Sequence, residues 1–63
     1  MGERTANRRL EAVLAEQARL TENYQRAIGT GREHTAYFRL RDANARVAKY
    51  DRIVRGLRGQ ARI

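Results

Sequence analysis

The feature that most constrains this chain is a run of eight residues in its second half. Ala36, Leu40, Ala43, Val47, Tyr50, Val54, Leu57 and Ala61 recur in strict alternation of four and three, and all are apolar or aromatic. That spacing keeps them on one side of an α-helix, and a stripe this long predicts a helix packed along its whole length. Arg39, Arg46 and Ile53 flank the stripe on one side; Tyr37, Asn44, Asp51 and Arg58 flank it on the other.

The stretch from Ile28 to Glu33 marks the upstream boundary. Thr30 and Glu33 have the spacing of a capping box, which starts a helix. Gly29 stands where a preceding helix needs a left-handed residue to stop. A stop followed at once by a start predicts a tight helical hairpin.

Upstream of that turn, Ala6, Leu10, Val13, Leu14, Leu20, Tyr24, Ala27 and Ile28 also recur at helical spacing. They fill three adjacent lines of a heptad net, a wider stripe than one neighbour covers, and Gln17 interrupts it at its middle. Thr5 or Asn7 is expected to cap this helix. Glu22 with Arg26, Asp42 with Arg46 and Asp51 with Arg55 have the spacing of favourable i,i+4 ion pairs. Gly56 and Gly59 each weaken a helix by about 1 kcal/mol relative to Ala, so the second helix is expected to fray or end between them.

The expected fold is all-α: a single domain over residues 1–63, without a linker, folded as an antiparallel two-helix hairpin. Helix one is expected over about 5–28 and helix two over about 31–58. Hinging the stripes at Gly29 and Thr30 sets Tyr24 level with Ala36 and Tyr37, and Leu20 level with Leu40. Val13 and Leu14 meet Val47, Leu10 meets Tyr50, and Ala6 meets Val54. Gln17 falls beside Ala43 and Asn44, an amide layer that either pairs or faces solvent at the edge of the stripe.

Sixty-three residues bury too little surface for a comfortable core. With no Cys and one His, neither a disulfide nor a metal cluster is available. The three-line stripe therefore predicts self-association, most simply two hairpins in a dimeric four-helix bundle, or else docking on a different protein. No apolar run approaches the roughly 20 residues of a membrane span, and none follows the N-terminus as in a signal peptide. A cytoplasmic protein is expected.

Net charge is +7 and lopsided. Residues 1–28 hold five Arg against four Glu; residues 29–63 hold eight Arg and Lys49 against three carboxylates. The second helix thus carries nearly all the excess, which points to an anionic partner: DNA, RNA or an acidic protein face. Arg41, Arg52, Arg55 and Arg62 spread over its outer side, with Lys49 beside them and Arg39 and Arg46 flanking the seam. Thirteen Arg against one Lys suits fork-like binding of phosphate or carboxylate. Phe38 stands at the outermost heptad position between Arg39 and Arg41, where it either stacks on a base, anchors an interface or lies against its own helix.

Catalytic chemistry has little footing. His34 is the sole imidazole and falls in the first turn of helix two, where a surface role is expected. No nucleophile–base pair, metal spacing or strand-borne phosphate loop is present, so no cofactor, metal or small-molecule substrate is expected. The Gly29-Thr30-Gly31 turn is read as a plain cap in preference to an anion site.

The run Leu20-Thr21, Ile28 to Arg32 and Thr35-Ala36-Tyr37 resembles the helix-turn-helix of excisionase-like DNA-binding domains. The resemblance implies that Arg32, His34, Thr35, Tyr37 and Phe38 face the major groove of DNA. It spans under a third of the chain, with spacing off by a residue on each side of the turn. A long unbroken second helix is incompatible with it.

Two functions are expected. The first is a small basic non-enzymatic regulatory or accessory protein that binds nucleic acid through helix two. The second is a protein-interaction module: an adaptor, an inhibitor or a small component of a larger assembly such as a phage particle.

Overall fold

The computed structural model describes residues 2–61, with the backbone alone for Gln60 and Ala61. Two α-helices, α1 (Glu3–Ala27) and α2 (Glu33–Ala61), pack against each other as an antiparallel hairpin, and no strand occurs among the described residues. The hairpin is a rod of 51 × 14 × 14 Å. Its radius of gyration is 14.6 Å, against about 10.6 Å for a globular chain of this length.

α1 starts earlier than expected. Its N-cap is Gly2 in extended conformation, with no side-chain cap. The Gly2 carbonyl accepts the Ala6 N–H at 3.0 Å. Thr5 and Asn7 are therefore inside the helix rather than capping it. Glu3 in the first turn and Arg26 in the last complement the helix dipole.

The turn performs both of its tasks. Gly29 has φ +84°, the left-handed conformation that ends α1 at little steric cost. The Thr30 hydroxyl donates to the Ala27 carbonyl at 2.6 Å and accepts the Arg32 N–H at 3.1 Å. The Glu33 carboxylate reaches back to the Gly29 N–H at 3.4 Å, while the Thr30 N–H bonds Ala27 instead. The reciprocal capping box is thus present but displaced by one residue, and regular helix begins at Glu33 rather than 31.

α2 runs unbroken through Gly56 and Gly59 to Ala61, so the expected end between the two glycines is wrong. A loss of about 1 kcal/mol per glycine does not stop a helix whose seam continues through Val54 and Leu57. This unbroken 29-residue helix also excludes a short recognition helix after the turn.

The register follows from the turn. Gln17 Nε2 donates to Asn44 Oδ1 at 2.7 Å. The Tyr24 and Tyr37 rings lie 6.0 Å apart. Glu16 pairs with Arg46 at 2.7 Å, and Glu3 approaches Arg58 at 3.9 Å. Each pair of residue numbers adds to 61 or 62, so one register holds over the whole rod. Gln17 and Asn44 pair at the edge of the seam, with Asn44 exposed.

The core is thin. Ala6, Ala43 and Val54 are fully buried. Leu10, Val13, Leu20, Tyr24, Ala36, Leu40, Val47, Tyr50 and Leu57 are half-buried along the same seam. Leu14, the third line of the first stripe, turns away from α2 and is 42% exposed. Among the described residues, no helix is long and apolar enough to cross a membrane.

Candidate functional site

α2 carries its cations in two settings. Arg46, Arg55 and Arg58 are tied to carboxylates: Arg46 to Glu16 across the seam, Arg55 to Asp51 at 3.1 Å, and Arg58 to Glu3. Arg46 was expected to pair with Asp42. The Glu16 carboxylate, presented by α1 at the same level, takes it instead. Glu22 and Arg26 form no ion pair either. All three observed pairs are substantially solvated, so each adds roughly 0–1 kcal/mol of stability. All three guanidinium groups remain largely exposed to solvent.

Arg39, Arg41, Lys49 and Arg52 form the second setting. All are exposed, and none has an ion pair among the described residues. At helical pitch Arg41, Arg52 and Lys49 fan over the side of α2 that faces away from α1, and Arg39 edges the seam. The Lys49 ammonium lies 5.7 Å from the Tyr50 ring centroid. Arg62 lies outside the described residues.

Phe38 is 45% exposed and Tyr37 48%. Phe38 lies against its own helix: its ring meets His34 edge-on at 5.1 Å and Tyr37 at 5.7 Å. With Tyr24 beyond Tyr37, four rings form a continuous chain at the turn end of the rod. The i,i+4 spacing of His34 and Phe38 is the sequence signal for this contact.

The structure also joins residues that sequence reading kept apart. Arg26, Arg32 and Arg39 line one open groove of about 1000 Å³ at the turn, floored by Leu20, Ala27 and Ala36. No carboxylate lines it. Arg26 comes from the end of α1, Arg32 from the turn and Arg39 from α2, so their convergence depends on the hairpin's closure.

No family model, curated protein or solved structure matches the chain. The chemistry of the α2 surface is therefore the basis for a functional reading.

Proposed function

We propose that this chain is a small, basic, non-enzymatic regulatory or accessory protein of the cytoplasm that self-associates and contacts nucleic-acid backbone through the outer side of α2. The observation that carries the proposal is the concentration of excess positive charge in the second half of the chain, nine cations against three carboxylates over residues 29–63. Arg41, Lys49 and Arg52 face solvent on the outer side of α2 with no carboxylate partner among the described residues, and Arg39 is exposed and unpaired at the edge of the seam. Guanidinium groups in that state suit phosphate oxygens, which they bind in a fork. The exposed rings of Tyr37 and Phe38 supply π-faces beside them.

Binding of a labelled oligonucleotide, followed by fluorescence anisotropy across a salt series, tests this. Three phosphate contacts, from Arg41, Lys49 and Arg52, predict a loss of about 40-fold in affinity between 50 and 200 mM salt, as released counterions oppose binding. Absent or salt-insensitive binding rejects the reading. The exposed Tyr37–Phe38 pair favours a second reading, a module docking on an acidic, apolar protein surface. A stoichiometric protein partner that survives nuclease treatment would favour that one.

A further inference from the structure

The hairpin's register leaves one set of arginines without a counter-charge. At the level of Arg46, α1 presents Glu16, and the two pair at 2.7 Å. One heptad nearer the turn, the same line of α2 presents Arg39, and the facing line of α1 presents Asn23 in place of a carboxylate. Arg26 from the end of α1 and Arg32 from the turn line the same groove as Arg39. The carboxylates nearest in sequence do not pair with them. Glu22 and Asp42 form no ion pair among the described residues. Glu33 lines a separate cleft with Tyr24, His34 and Tyr37, and its carboxylate accepts the Gly29 N–H at 3.4 Å.

Three guanidinium groups in one concavity repel one another, and an anion held there offsets the repulsion. The neutral polar lining adds donors. Asn23 and Thr35 bring an amide and a hydroxyl, and neither side chain is hydrogen-bonded among the described residues. The Thr30 hydroxyl, by contrast, is engaged within the turn, so the turn stays a cap and the groove's donors are the side chains around it. Guanidinium forks match phosphate oxygens. A phosphomonoester carries a charge of about −1.5 to −2 at pH 7 on three terminal oxygens, which suits three cations better than the single charge of a phosphodiester. The floor is apolar and half-buried, and the groove's volume of about 1000 Å³ stands at the upper end of the roughly 300–1,000 Å³ of small-molecule sites. There is room for an organic body as well as its phosphate.

We infer that this groove at the turn end of the hairpin binds a phosphomonoester, with Arg26, Arg32 and Arg39 holding the phosphate and the floor of Leu20, Ala27 and Ala36 taking the organic group it esterifies. Two sources share that chemistry, a free ligand of mononucleotide size and the 5′-phosphate end of a nucleic-acid strand. The groove does not include Arg41, Lys49 or Arg52, and the inference does not depend on the binding proposed for them.

Adenosine 5′-monophosphate, added to isotope-labelled protein in phosphate-free buffer, is the probe, and adenosine is its control. The nucleotide is expected to move the backbone amides of Arg26, Arg32, Thr35 and Arg39 and to saturate at one per chain, while adenosine leaves them in place. Arg26→Gln with Arg39→Gln is expected to weaken binding at least about tenfold as charged hydrogen bonds are lost. Helical circular dichroism is expected to persist, because both side chains are exposed. Arg41→Gln with Arg52→Gln is expected to stay within about twofold, since salt screens charges outside the groove. No saturation up to about 10 mM nucleotide overturns the inference. So does an equal loss from the two pairs of substitutions, or equal movement by adenosine. A strand with hydroxyl ends and the same strand with a 5′-phosphate separate the sources. Tighter binding of the second, with movement of the groove amides, supports the strand end; equal binding of the two, with the nucleotide still held, supports a free ligand. If the hydroxyl-ended strand binds and the nucleotide does not, this inference fails and the proposed function stands. The reverse pattern sinks the nucleic-acid reading and leaves this one standing.

Discussion

α1 and α2 are close in length, 25 and 29 residues, and share one seam, yet their outer surfaces differ. α1 is nearly balanced in charge. α2 carries the excess of cations. The seam determines the hairpin and says nothing of function, because both helices build it from the same residue types. What distinguishes the helices lies on the lines beside the seam. There, α2 carries the positive charge on which the proposed anion binding rests.

The largest effect is expected where seam and surface of α2 are set against each other. Val54→Asp buries a carboxylate without a partner, at a cost of about 3 kcal/mol or more, enough to unfold a chain with so thin a core. The same substitution at exposed Ala48 is expected to change thermal melting little. If both variants melt alike by circular dichroism, the seam does not run as described.

Next come the outer faces. Replacing Arg41, Lys49 and Arg52 together with Ala is expected to weaken oligonucleotide binding at least about tenfold near 100 mM salt, and to flatten its salt dependence. Replacing Arg8, Arg9 and Arg19 of α1 is expected to leave affinity within about twofold, apart from the general loss of charge. Equal effects from the two sets, measured by anisotropy, would erase the contrast between the helices.

The glycines give effects of opposite sign. A Cβ at Gly29 or at Gly56 meets no atom within 4 Å, so crowding is absent at both. Gly29 alone has positive φ. Gly29→Ala is expected to lower stability by about 1–2 kcal/mol through backbone strain. Gly56→Ala is expected to raise it by up to about 1 kcal/mol through helix propensity. Chemical denaturation reads both.

The smallest effect belongs to the amide pair. Asn44→Ala leaves Gln17 half-buried without its 2.7 Å partner. A loss of about 0.5–1 kcal/mol is expected, since water can reach the edge of the seam. A stabilised Asn44→Ala variant would show that the pair is incidental to the register.

The hairpin was legible in the residues because its signals are local. Thr30, Glu33 and Gly29 act within one turn, and once the hinge is known an antiparallel pairing has little freedom; hence Gln17 beside Asn44 and Tyr24 beside Tyr37. The misses share a physical cause, competition between a local preference and a long-range one. Gly56 and Gly59 weaken a helix locally, but the seam continues past them. Asp42 has the spacing to hold Arg46, but Glu16 reaches it from the other helix. The groove of Arg26, Arg32 and Arg39 draws on both sides of the turn, so no window of sequence contains it. Charge indicates the sign of a partner and not its identity, which is why the α2 surface supports a class of ligand and no sequence preference.

The division between the helices is tested most directly by backbone amide chemical shifts recorded as a hydroxyl-ended oligonucleotide is added to labelled protein. The expected changes concentrate on α2 from Phe38 to Arg52, with Leu14 to Gln25 of α1 unmoved. Changes centred on that stretch of α1, or none at saturating oligonucleotide, would contradict the assignment of anion binding to α2.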